Sequence, residues 1–172
     1  MGIIFDLDQT IIDSNIALQE RKNREWNKVY DLIPSFVLYE GIFDLIAEIN
    51  SNGIPTCIVT TSPSTYCDKV LSHHGLPFVN RVCYHDTHNK KPHPEPMLLA
   101  LKKMGVAKDE ILSIGDDPKD IIASKGAGII SVAAIWGCGN AESLLETAPT
   151  YICNKVSDLR KLIFPVSDVT FF

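Results

Sequence analysis

A chain of 172 residues, 45% of them hydrophobic and 22% charged, can close one core of ordinary size without staples. Its net charge of −5 argues against broad nucleic-acid or membrane binding as the main activity and leaves only a local basic patch for either. Five widely spaced cysteines, Cys57, Cys67, Cys83, Cys138 and Cys153, form no C-x-x-C and suggest neither a disulfide framework nor a zinc knuckle. With no charged-then-apolar leader and no long apolar run, the expectation is a cytoplasmic protein with no membrane partner.

Ile3, Ile4 and Phe5 are too few for a helix and too uniformly apolar for a one-faced strand, which predicts a buried strand of a parallel sheet. Asp6 and Asp8 leave the core at its end. On a backbone that stays extended they share one side, about 6 to 7 Å apart, where two carboxylates repel and invite a cation. Next, Trp26, Val29, Tyr30 and Ile33 fall at i, i+3, i+4 and i+7, predicting a helix that stops near Pro34. Its other face carries Arg21, Lys22, Arg24 and Lys28 against Glu20 and Glu25. Such a run is ordinarily a solvated face; the sharper reading is contact with an anionic substrate or partner.

A helix is predicted from Gly41 to Asn52, with Ile42, Leu45, Ile46 and Ile49 on one side, then a buried strand from Ile54 to Val59. That strand ends in Thr60, Thr61 and Ser62, hydroxyls suited to cap a helix or to contact a phosphate. A helix from Pro63 to His74 and a short strand from Arg81 to Tyr84 follow. Pro92, Pro94 and Pro96 then read as a stiff, extended approach to a helix from Met97 to Met104, holding at least one of Lys90 and Lys91 in place. His85, His88 and His93 fit no common zinc spacing and read as loop residues. Strands at Ile111 to Ile114, Ile129 to Ile135 and Tyr151 to Cys153 alternate with helices at Pro118 to Lys125, Ala141 to Thr147 and Val156 to Phe164. Asp116 stands at a strand end, and Asp120 lies one turn into the next helix, able to face the same point. The tail from Pro165 carries Phe171 and Phe172, which could dock on the body or on a partner.

This alternation predicts an α/β fold: a three-layer, Rossmann-like, mostly parallel sheet with helices on both faces. In such sheets ligands gather beyond the carboxyl ends of the strands. Asp6, Asp8, Thr60, Lys91, Asp116 and Asp120 all lie at or just after such ends, a set suited to a hard divalent cation and a phosphoryl group.

The chain here resembles the haloacid dehalogenase superfamily, in particular its phosphoglycolate-phosphatase-like group. The resemblance rests on four stretches in order: Asp6-Leu7-Asp8-Gln9-Thr10, Ile58-Val59-Thr60, Lys91-Pro92, and Gly115-Asp116-Asp117-Pro118-Lys119-Asp120. It implies a magnesium-dependent phosphatase working through an aspartyl phosphate. By the resemblance Asp6 is the nucleophile, Asp8 the acid and base, and Thr60 and Lys91 hold the transferring oxygens, with Thr61 a bystander or substrate contact. Asp6, Asp8 (through its carbonyl) and Asp116 would bind Mg2+, supported from behind by Thr10, Asp117 and Asp120, while Lys90 is the alternative lysine. Gln9 departs from a usual glycine, tolerably if its φ is negative.

The resemblance further divides the chain into a core of residues 1–13 and 41–172 and a rudimentary cap at 14–40, with room for one helix of about four turns. So small a cap implies an unselective enzyme, a large substrate, or a lid lent by a partner. The preferred substrate is a small phosphorylated molecule. The first alternative is the same chemistry on a macromolecular or nucleic-acid-end phosphate, with Arg21, Lys22, Arg24 and Lys28 as backbone contacts. The second is a non-catalytic phosphate- or metal-binding module.

Overall fold

Alternate residues of the first strand enter opposite cores: Ile3 and Phe5 pack in one apolar cluster and Ile4 in another. The computed structural model describes residues 1–165, so Phe171 and Phe172 lie outside the described residues. In chain order the strands are β1 (Gly2–Phe5), β2 (Ile12–Asp13), β3 (Val37–Leu38), β4 (Thr56–Val59), β5 (Asn80–Val82), β6 (Ile111–Gly115), β7 (Ile130–Ala134) and β8 (Tyr151–Cys153). The helices are α1 (Leu18–Lys22), α2 (Trp26–Leu32), α3 (Ile42–Ser51), α4 (Ser64–His73), α5 (Glu95–Met104), α6 (Pro118–Ala127), α7 (Ala141–Glu146) and α8 (Val156–Ile163).

Six strands form a parallel sheet in the order β5-β4-β1-β6-β7-β8, with β1 at its centre between β4 and β6. Helices α3, α4 and α8 cover one face, contributing Ile46, Val70 and Leu159, while α5 and α6 cover the other with Met97, Ala100 and Ala123. The three-layer α/β arrangement is as the sequence predicts. It follows from central strands buried on both faces, each returning through a helix. The chain order reverses beside β1, so the ends of β1, β4 and β6 open on one crevice.

Several local expectations are corrected. Pro94 and Pro96 do not make an extended approach; α5 starts at Glu95, and its first turn tolerates proline because the amides there lack helical partners. β4 starts at Thr56, after Pro55, whose carbonyl instead accepts from the Ile3 amide at 2.9 Å.

The stretch 14–40 holds no four-turn helix. Two short helices, α1 and α2, are separated at Arg24, whose φ is +58°. The Glu25 amide donates to Glu20 O at 2.9 Å and the Arg24 amide to Arg21 O at 3.1 Å, a Schellman ending with arginine where glycine is usual. Antiparallel β2 and β3 clasp the base of this insert.

Candidate active site

β1 stops at Phe5, and the Asp6 amide donates to Ile114 O of β6 at 2.9 Å, fixing Asp6 over the sheet's central crevice. β6 ends in Gly115, where a Cβ would come within 2.3 Å of Asp120 Cβ; only glycine lets Asp120, on the first turn of α6, reach inward. Asp6, Asp116 and Asp120 thus offer carboxylate oxygens within 4.8 Å of one another. Lys91 Nζ donates to Asp6 Oδ1 and Asp120 Oδ1, both at 2.6 Å, and to Val59 O at 2.9 Å. Lys90 instead donates to Thr87 O and lies over the Tyr84 ring, so Lys91 is the lysine that reaches the crevice.

Three carboxylates against one ammonium leave an excess of negative charge in a buried place. Burial pushes Asp6 up to about 7, with Asp120 and Asp8 adding to the rise against Lys91. Burial likewise raises Asp116 to about 9, with Asp6 and Asp120 contributing. Burial opposes the charge on Lys91, yet Asp120 and Asp6 outweigh it and hold the ammonium above its ordinary value. The carboxylates' rise and the lysine's rise pull opposite ways on one ion pair. We take the lysine as charged, because it faces more than one acid, and the surplus acid as the strained partner. Hard oxygen donors this close, incompletely neutralised by Lys91, fit a small divalent cation such as Mg2+.

Thr10 Oγ1 donates to Asp116 Oδ1 at 2.8 Å and so orients it. Asp117 caps α6, its carboxylate accepting from the Lys119 amide at 2.9 Å, while its own amide donates to Asp120 Oδ2 at 3.1 Å. Thr60 is buried at the end of β4, its Oγ1 accepting from the Ser62 amide at 3.1 Å, and exposed Thr61 lines the pocket beside it.

Asp8 lines the same pocket as Asp6, although β1 ends before both of them, at Phe5. The Asp8 carboxylate is outside the Asp6, Asp116 and Asp120 group. It accepts from Ser14 Oγ at 2.6 Å, Ser62 Oγ at 3.1 Å and Tyr66 OH at 2.5 Å. The Arg21 guanidinium of α1 pairs with it at 2.6 Å. Arg21 is therefore not part of a solvated face. Lys28 is, paired with Glu25 at 3.0 Å on the exposed surface. Of these hydroxyls the sequence points only to Ser62, at a strand end; Ser14 and Tyr66 carry no motif that would mark them.

Gln9 has φ +66°, overturning the expectation of a negative angle. Its amide N–H donates to Ile12 O at 2.8 Å, and its side-chain amide lies 2.8 Å from the Tyr39 hydroxyl, bonds that hold a conformation costing about 1 kcal/mol for a non-glycine. Behind it Gly137 packs so closely that a Cβ would fall 1.6 Å from Gln9 O, and Trp136 Nε1 donates to Thr10 O at 3.0 Å.

His85, His88 and His93 are not in the carboxylate cluster. His88 and Asn89 give their amides to Glu95, and His93 Nδ1 accepts from the Glu95 amide, bonds that order the loop carrying Lys91.

The family model described as Haloacid dehalogenase-like hydrolase matches residues 16–134. Among curated proteins, the chain is 31% identical over 156 residues to the phosphoglycolate phosphatases of Shigella boydii serotype 4 and Escherichia coli K12, covering 86% of this chain. It spans 62% of those relatives' length. Similar solved structures include a hydrolase from Pseudomonas syringae, with a TM-score of 0.80 at 21% identity, covering 96% of this chain and 99% of that one. A HAD-superfamily hydrolase from Geobacter sulfurreducens has a TM-score of 0.75 at 21% identity, covering 94% and 97%. At that identity the two structures bear on the fold alone.

Proposed function

The chain belongs to the haloacid dehalogenase-like hydrolase family, and on that premise we propose that it is a Mg2+-dependent phosphatase working through an aspartyl phosphate on Asp6. The observation that carries the proposal is the meeting of Asp6, Asp116 and Asp120 within 4.8 Å, with Lys91 bound to two of them. Resemblance to proteins named phosphoglycolate phosphatase supports a small phosphorylated substrate.

In this reading Asp6, the backbone carbonyl of Asp8 and Asp116 would hold Mg2+, which would supply positive charge against the clustered acids and the phosphoryl oxygens. An Asp6 oxygen forms a bond to phosphorus while the ester P–O bond breaks, and the departing oxygen takes a proton from Asp8. Water then attacks the aspartyl phosphate, giving its proton to Asp8 and freeing Asp6 and inorganic phosphate. Thr60 and Lys91 stabilise the transferring oxygens, and Asp120 keeps Lys91 aimed at Asp6. Thr10 and Asp117 hold Asp116 and Asp120 in place. Residues 14–40 then serve as a reduced lid over a core formed by the rest.

The test is phosphate release from a panel of phosphorylated metabolites and p-nitrophenyl phosphate, with Mg2+ and with chelator. Turnover that is lost with chelator and in Asp6→Asn upholds the proposal. Turnover retained in Asp6→Asn removes Asp6 from the covalent role.

A further inference from the structure

Beside the carboxylate pocket, of about 230 Å3, lies a second cavity of about 450 Å3, and the two share Leu18, Arg21, Thr61, Ser62 and Lys119. Resting on the phosphatase reading, we propose that this cavity is the leaving-group subsite for a nucleotide-sized phosphomonoester that carries a further phosphate besides the one transferred. Arg21, Lys22, Arg24 and Lys119 line it together with Trp26 and Tyr84. No Asp or Glu lines it among the described residues, although the chain as a whole is acidic. Lys22, Arg24 and Lys119 pair with no carboxylate among the described residues. Cations gathered without counter-charges around one concavity raise the local concentration of an anion and favour binding it.

Two further observations point the same way. Arg21 spends one guanidinium nitrogen on Asp8 and its Nε is buried without a partner, so the guanidinium is incompletely satisfied at the wall that the two cavities share. Arg24 occupies the left-handed position that closes α1, where glycine is the less strained residue. Strain of this kind persists where the side chain has a use, and here that side chain is delivered to the cavity wall.

Size and shape narrow the ligand. A volume of about 450 Å3 far exceeds a two-carbon leaving group and lies in the range of drug-sized ligands. Half-buried Trp26 and Tyr84 add flat apolar surface for a ring. Lys28, paired with Glu25, takes no part.

With Mg2+ present, kcat/KM is compared for adenosine 3′,5′-bisphosphate, adenosine 5′-monophosphate, a 5′-phosphorylated oligonucleotide and p-nitrophenyl phosphate. We expect the bisphosphate to exceed the monophosphate by about tenfold or more, a margin that shrinks as salt rises. Arg24→Gly should keep or raise Tm yet lose most of that margin, which a merely structural arginine would not. A better oligonucleotide than free bisphosphate assigns the second phosphate to a strand end, and the reverse order to a free nucleotide. Equal kcat/KM for bisphosphate and monophosphate, with p-nitrophenyl phosphate hydrolysed, overturns the subsite and leaves the phosphatase reading standing. If no phosphoester is hydrolysed, that reading fails. The cavity is then judged by calorimetric titration with the bisphosphate: binding weakened about tenfold by Arg24→Gly retains it, and no binding overturns it.

Discussion

Replacing Asp116 with Asn should make the metal-free protein more stable while abolishing its response to Mg2+. In the fold Asp116 sits with Asp6 and Asp120, and burial together with those charges raises it from 3.8 to about 9. A group raised on folding contributes its full stability below its unfolded value and loses it as pH climbs towards the folded one. The cost of the carboxylate therefore accrues from about pH 4 to about pH 9. At about 1.4 kcal/mol per pH unit, the ceiling at pH 7 is ~4 kcal/mol. That ceiling already includes the opposing effects of Thr10 and Lys91, and relaxation of the site with entry of water reduces it further, so about 1–2 kcal/mol is the expected gain. For a chain of this size that is about 3–6 °C in Tm. Asparagine keeps the oxygen that Thr10 Oγ1 donates to, so shape and this bond survive. The assay is thermal unfolding from pH 5 to pH 9 in chelator and in Mg2+. Wild-type protein should lose Tm with rising pH in chelator and regain it with Mg2+, by about 2.7 kcal/mol at a hundredfold excess over Kd. A metal-free Asp116→Asn protein less stable than wild type at pH 7 to 8 would refute the idea that the acids repel one another there.

Three other substitutions probe the surroundings. Lys91→Met leaves Asp6 and Asp120 without their ammonium; a loss of about 3 kcal/mol in urea unfolding is expected, together with loss of phosphate release. Gly137→Ala drives a methyl into Gln9 O and should cost about 1–3 kcal/mol by the same measure, while lowering kcat through displacement of the Asp6 to Thr10 loop. Tyr66→Phe removes one of the donors to Asp8 and should cost about 1 kcal/mol in urea unfolding and lower kcat; an unchanged kcat would mean that this hydroxyl does not position Asp8.

The alternation of apolar runs and amphipathic helices, and the charged residues at strand ends, were legible in the sequence because burial on both faces leaves the central strands no position for a charge. That is why Asp6, Asp8, Thr60, Lys91, Asp116 and Asp120 could be grouped before any contact was known. Where local pattern competed with long-range packing, the sequence misled. A helical spacing through Trp26 hid the break at Arg24, and Gln9 gave no sign of its positive φ, which is set by Tyr39 and the approach of Gly137. The surroundings of Asp8 were equally hidden, because Ser14, Ser62, Tyr66 and Arg21 converge from separate segments. Periodicity records which residues avoid water, and that alone determined the layers and the rim on which the acids stand. Which donor meets which acceptor depends on how those segments cross in space, so the partners of Asp8 and the cation-lined cavity were decided only by the tertiary structure.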